Sequence, residues 1–157
     1  MGDEIVCVNG SVMNGLTPKD VLTVIRQSDT AIVEFIIRRT PFGQIFLLKR
    51  EYEFQELGIV REANTDEILF IEPNSLAHRQ GIPNQTKPAD PLRKTDINWA
   101  ITEINFRPCG LFKGDEIRNR LNSFGKEISL LLQPLDLVKN IKKQLKNIKN
   151  YKDYVVQ

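Results

Sequence analysis

An internal repeat constrains this 157-residue chain more than any other feature. Asn9 and Asn105, Val21 and Ile117, and Ile25 and Leu121 each stand 96 residues apart. Ile5-Val6-Cys7-Val8-Asn9 reads as a strand, a helical segment follows, and Ile32 to Ile37 reads as a second strand. Ile101-Thr102-Glu103-Ile104-Asn105, another helical segment and Ile128 to Leu132 repeat that order. One supersecondary unit is therefore used twice. The surroundings of the two copies differ, because nothing before the first corresponds to Gln44 through Gly81. The chain reads as half a domain followed by a complete one.

Local signals fill in the elements. Asn9-Gly10 is a turn, and Thr17-Pro18 opens a helix that carries Val21, Leu22, Val24 and Ile25 at helical spacing. Ala31 to Ile37 is apolar and β-branched, hence a strand, and Thr40-Pro41-Phe42-Gly43 punctuates. Gln44 to Lys49, Leu57 to Val60 and Ile68 to Ile71 read as strands, and Asn74 to Gly81 as a short helix. Ile82 to Asn98 holds Pro83, Pro88 and Pro91 and reads as a mobile insertion. A strand at Trp99 to Ile104, a helix at Lys113 to Asn122 and a strand at Glu127 to Leu132 complete the second copy. Leu137, Ile141, Leu145 and Ile148 mark a final amphipathic helix. The expected organisation is a half repeat over 1–40, a complete domain over 41–134 with an insertion at 82–98, and a tail over 135–157.

Chemistry is sparse. Hydrophobic residues make up 41% and charged residues 27%, the balance of a folded chain, and no apolar run approaches the ~18 residues that span a bilayer. Met1-Gly2-Asp3-Glu4 is acidic and runs into a strand, unlike a secretory leader. Two distant cysteines, Cys7 and Cys109, make neither a disulfide framework nor a metal site, so the expected compartment is reducing and cytosolic. They read as small buried apolar groups. His78 is the single histidine and has no nucleophile signature near it, so a surface role is expected. Asp115-Glu116 favours the positive end of its helix, and Gly125-Lys126 lacks the upstream pattern of a phosphate loop. No catalytic residue, metal or cofactor is expected, and Trp99 reads as packing.

The residues resemble the PDZ domain family. Gly2-Asp3-Glu4-Ile5-Val6-Cys7-Val8-Asn9-Gly10 is similar to a strand of that family, Glu56-Leu57-Gly58-Ile59 to its carboxylate-binding loop, and Ser75-Leu76-Ala77 before Gly81 to its short helix. The order, with Arg38 to Glu51 as a linker and the tail from Pro134, resembles the syntenin-like tandem PDZ family, with the Mint adaptors as nearest rival. The resemblance implies an α+β fold: a partly open β-barrel or sandwich of five to six strands with two helices, preceded by a half PDZ repeat and followed by the amphipathic helix. It makes the chain look like a truncated isoform or a fragment. Phe106 stands where that family has Gly after Asn105, and Gly114 falls at the first position of the groove helix, where many members carry His.

The expected site follows. An extended peptide would add to the strand edge at Leu57, Gly58, Ile59 and Val60, with its terminal carboxylate on converging amides. Gly114, Arg118 and Leu121 would form the opposite wall. Six lysines against two aspartates make residues 134–157 basic. Lys139, Lys142, Lys143, Lys146 and Lys149 would be solvated on a packed helix or lie on anionic membrane. Nucleic acid is the weakest of the three readings, since the interleaved aromatics are only Tyr151 and Tyr154. The expectation is a non-enzymatic adaptor in the cytoplasm, peripheral at the plasma membrane, for C-terminal tails of membrane receptors or adhesion proteins, with acidic phospholipids (phosphoinositides) as co-ligands. The alternatives are a structural module that forms homo-oligomers through the half PDZ, and a non-catalytic regulatory domain of a separate enzyme.

Overall fold

A computed structural model describes residues 2–28, 31–109, 114–123 and 125–148. The fold is α+β, with four helices and nine strands among the described residues. The chain divides into two compact units, Gly2–Pro41 and Phe42–Gln157.

The unit Gly2–Pro41 contains β1 (Glu4–Val8), β2 (Ser11–Val12), α1 (Pro18–Arg26) and β3 (Phe35–Arg38), with the antiparallel sheet order β2-β1-β3. Asn9 and Gly10 both take positive φ, 46° and 79°, which makes the tight hairpin between β1 and β2. Thr17 caps α1 through a reciprocal bond with Asp20, and Pro18 sits where its missing N–H costs nothing. The Thr17 hydroxyl and amide, both donating to the Asp20 carboxylate, hold its pKa below the usual value. The strand expected from Ala31 begins only at Phe35. Just before it, the Glu34 N–H donates to Asn9 Oδ1 (2.8 Å) and its C=O accepts from the Asn9 N–H (2.9 Å), a local clamp that starts the ladder.

The unit Phe42–Gln157 contains β4 (Gln44–Lys49), β5 (Ile59–Arg61), β6 (Ile68–Ile71), α2 (Leu76–Arg79), β7 (Trp99–Ile104), β8 (Arg107–Pro108), α3 (Gly114–Leu121), β9 (Glu127–Pro134) and α4 (Leu135–Lys146). Two antiparallel sheets, β4-β9-β7-β8 and β5-β6, form an open arrangement, with no closed barrel among the described residues. Leu48, Ile68, Trp99, Ile101, Ile117, Ile128 and Leu130 fill the core between them. Burying these side chains stabilises the unit by roughly 1.5–3 kcal/mol each. β9 is buried from Ile128 to Pro134 because it is central in its sheet and covered on both faces.

The repeat is geometric as well as textual. Val8 pairs with Ser11 and Ile104 with Arg107; Cys7 pairs with Val12 and Glu103 with Pro108. The irregularity after Ile5 in β1 recurs after Ile101 in β7. Asn105 clamps Ser129 as Asn9 clamps Glu34: the Ser129 N–H donates to Asn105 Oδ1 (2.9 Å), and the Asn105 N–H to the Ser129 C=O (2.8 Å). The last strand is offset by 95 rather than 96, since Val8 pairs with Phe35 but Ile104 with Leu130. Phe106 holds φ 61° where the first copy has Gly10, a conformation that costs a side-chain-bearing residue about 1–2 kcal/mol.

Ile82 to Asn98 carries no named helix or strand, as a loop should, but it is anchored: Thr86 and Ile97 exchange both backbone bonds (2.8 and 2.9 Å), Ile82 and Ile97 are buried, and Asp136 accepts from the Ala89 and Asp90 amides. Three expectations need correction. The strand expected from Leu57 starts at Ile59, because the C=O groups of Leu57 and Gly58 are taken by the amides of Ala77 and Glu72. The helix expected at Lys113 to Asn122 runs from Gly114 to Leu121, and Lys113 lies outside the described residues. On α4 the buried residues are Leu135 and Val138, packed with Ile97 and Ala100, while Ile148 of the expected stripe is 51% exposed. Pro134 passes the chain directly from β9 into α4, and that fixes which face turns inward.

Candidate functional site

The β5–β6 hairpin settles which backbone groups are available. The Glu72 N–H donates to the Gly58 C=O (2.9 Å), so Ile59 and Ile71 are opposite but not bonded to each other. In an antiparallel pair of that kind, each residue's N–H and C=O point away from the partner strand. The N–H and C=O of Ile59 therefore point out of the hairpin, toward the edge of β5 that no strand covers among the described residues. Immediately before it, the amides of Leu57 and Gly58 meet no backbone acceptor among the described residues, while their carbonyls are held by Glu72 and Ala77. The carbonyls turn inward and the two successive amides stay open, a geometry that suits an anion.

Gly58 is required for this bend. Its φ is +72°, and an added Cβ would overlap the Ser75 side chain, which also caps α2 through the His78 amide. Any larger residue would push the loop off that helix.

Across from this edge lies α3. A groove of about 400 Å³ runs between them, lined by Leu57, Gly58, Ile59, Val60, Arg118 and Leu121. Six of the seven peptide positions read from the sequence thus share one depression. Gly114 is the first residue of α3, and what faces it is outside the described residues. Ile117, on the next face of the same helix, is fully buried, while Leu121 serves both core and groove.

Three groups that the sequence reading passed over shape the groove. Arg50, 4% exposed, donates to the carbonyls of Gln55, Leu121, Ser123 and Gly125 at 2.7–3.1 Å. It ties the end of α3 to the segment leading into Leu57-Gly58, so one side chain holds both walls. Charge on Arg50 also faces the negative end of α3. Burial lowers its pKa. Arg61 donates to the Thr65 C=O (2.7 Å), and its pKa is lowered by burial first and by the nearby Arg118 second. Glu72, with Glu56 and Glu62, adds carboxylates to the lining. Near Leu57-Gly58 the attraction for an anion therefore comes from amide dipoles, and positive side chains lie farther along at Arg61 and Arg118. Nothing in the local pattern marks Arg50; three of its four carbonyl partners are some seventy residues later in the chain.

The lysines fall into two groups. Lys139 pairs with Glu67 (3.1 Å) and Lys142 with the buried Asp66 (2.7 Å). Lys143 and Lys146 are exposed and make no ion pair among the described residues; Lys149 lies outside them, as do Tyr151 and Tyr154. His78 is exposed, and its Nδ1 accepts from the Asn74 amide at 3.4 Å. Cys7 and Cys109 are buried free thiols, and desolvation pushes Cys109 up to about 12. Trp99 is buried and donates its indole N–H to the Pro83 C=O (3.0 Å). Among the described residues there is no cluster of three or more metal-ligating side chains, and no helix long and apolar enough to cross a membrane. Comparison of the chain with protein-family models gives no match, and comparison with curated proteins gives none either.

Proposed function

We propose that the unit Phe42–Gln157 is a PDZ-like capture module: a non-enzymatic adaptor that takes the C-terminal tails of membrane receptors or adhesion proteins as an added strand on β5. The observation that carries this reading is the outward N–H and C=O of Ile59, beside the open amides of Leu57 and Gly58, in a groove walled by Arg118 and Leu121. Backbone bonds would supply affinity in such a mode, and side-chain pockets the choice of ligand. Leu57, Ile59 and Leu121 would take the last side chain of the ligand. Gly114 offers no hydroxyl partner at the third residue from its end, so that position is tolerant or apolar.

A panel of immobilised C-terminal peptides, each with a free and an amidated end, tests the proposal. Binding of the free acids alone supports it; equal binding of the amides removes the carboxylate assignment. A tenfold preference for Thr over Phe at the third residue from the end, about 1.4 kcal/mol, removes the role given to Gly114. The exposed Lys143 and Lys146 favour an accompanying contact with acidic phospholipids at the inner face of the plasma membrane.

A further inference from the structure

The unit Gly2–Pro41 leaves an edge open that its counterpart closes. In Phe42–Gln157 the strand β9 lies between β7 and β4, with Phe46 opposite Leu130 and Ile45 opposite Leu131. Among the described residues the matching strand β3 has only β1 beside it, and all four of its residues are exposed. Phe35, Ile36 and Ile37 are 42%, 56% and 49% exposed, apolar side chains on an unpaired ladder. On the α1 side, Ile5 (opposite Ile37), Met13, Leu16, Val21 and Ile25 line a largely apolar hollow of about 580 Å³.

We propose that this edge pairs with the same strand of a second copy of the chain, antiparallel and centred on Ile36. The hydrogen-bond phase of β3 decides the register. The Asn9 N–H donates to the Glu34 C=O, so Val8 and Phe35 are opposite without bonding each other. The N–H and C=O of Phe35, and by alternation those of Ile37, therefore point outward. A two-fold axis at Ile36 brings Phe35 of one copy against Ile37 of the other, twice, and each meeting satisfies both outward donors and both outward acceptors. The same axis sets Glu34 opposite Arg38 of the second copy, twice. Glu34 is exposed and makes no ion pair among the described residues, while Arg38 already holds Glu4 at 3.0 Å and would then lie between two carboxylates. Registers centred on Phe35 or Ile37 instead set Glu34 against Ile36 or Thr40, with no charge match. An axis perpendicular to the sheet keeps both α1 helices on one face, so the two hollows adjoin across Phe35 and Ile37.

Sedimentation velocity of the full chain at about 100 μM, where a micromolar dissociation constant gives mostly dimer, reads the association. The proposal expects a dimer that Phe35→Pro abolishes, since Pro removes an outward donor and no bond to β1. Glu34→Arg and Arg38→Glu each weaken the dimer alone and restore it when mixed. Ile36→Cys cross-links under mild oxidation, because unbonded opposite residues lie about 4.5 Å apart at Cα, within disulfide range. Circular dichroism establishes that each variant is folded. A monomer at this concentration overturns the proposal, as does a dimer that survives a folded Phe35→Pro, a mixture that fails to reassociate, or capture of this edge by a different polypeptide.

Discussion

Arg50 carries a charge into the core and spends it on backbone carbonyls from two segments, Gln55 and the run from Leu121 to Gly125. Bonds to a charged group contribute about 1.5–3 kcal/mol each and are not additive, so Arg50→Met should cost on the order of 3 kcal/mol in urea unfolding. Peptide affinity should fall with it, because both groove walls lose their tie. Arg50→Lys should rescue little, since an ammonium cannot reach carbonyls on both sides. Cys109 gives a prediction in pH. Its folded value of about 12 lies above the ordinary 9.0, so the thiol is neutral in both states below pH 9 and shifts no stability there. Between 9 and about 12 the unfolded chain loses the proton and the folded one keeps it, so stability falls as the pH rises through that window. Iodoacetamide at pH 8 should label Cys109 only on unfolding; labelling of the native protein would show the thiol to be accessible. Leu57, Gly58, Ile59 and Leu121 were singled out through the resemblance of Glu56-Leu57-Gly58-Ile59 and of the facing helix to the PDZ pattern, and the structure sets all four along one groove. Arg50 could not be, because a buried Arg on distant carbonyls leaves no local pattern.

At the level of elements, α4 separates charge that is used from charge that is free. Lys142 neutralises Asp66, whose side chain is only 6% exposed, and withdrawing it would strand a buried carboxylate. Lys142→Gln should therefore destabilise the unit by about 1–3 kcal/mol, with the 28% exposure of the Lys142 side chain setting the lower bound. Lys143 and Lys146 have no such tie. Replacing those two by Gln should weaken binding to acidic vesicles in a salt-dependent way and leave stability unchanged, because such attraction decays over about 8 Å at physiological ionic strength. Equal loss from Lys139→Gln would show that the Glu67 pair does not withhold that lysine. The helix was legible in the sequence, and Leu137, Ile141 and Leu145 of its expected stripe are half-buried; Leu135 and Val138, which that stripe leaves out, are buried because the exit from β9 places them against Ile97 and Ala100. The anchors of the loop 82–98 were not legible either: prolines signal the lack of regular structure, not the lack of anchors, and Thr86, Ile97 and Asp136 supply those.

For the molecule as a whole, the repeat was readable to the residue in its first strand and helix, down to the turn at Asn9 and Asn105. What periodicity could not show is which strand closes the complete copy, because β4 and β9 are far apart in sequence and meet only through the topology. Since the groove belongs entirely to Phe42–Gln157, a chain of residues 42–157 should bind the same peptides with unchanged affinity, measured by fluorescence anisotropy. A tenfold loss would assign Gly2–Pro41 a part in the site. The pairing of β4 with β9 also bears on synthesis. Lys49 meets Glu127 and Gln44 meets Leu132, so the strand translated first waits for nearly eighty further residues before its edge is covered. At about 5–20 residues per second, that is an interval of several seconds on the ribosome. During it, the apolar sequence Ile45-Phe46-Leu47-Leu48 has no β9 to pair with. Nascent-chain chaperones should engage this segment, and release it once Pro134 has cleared the exit tunnel.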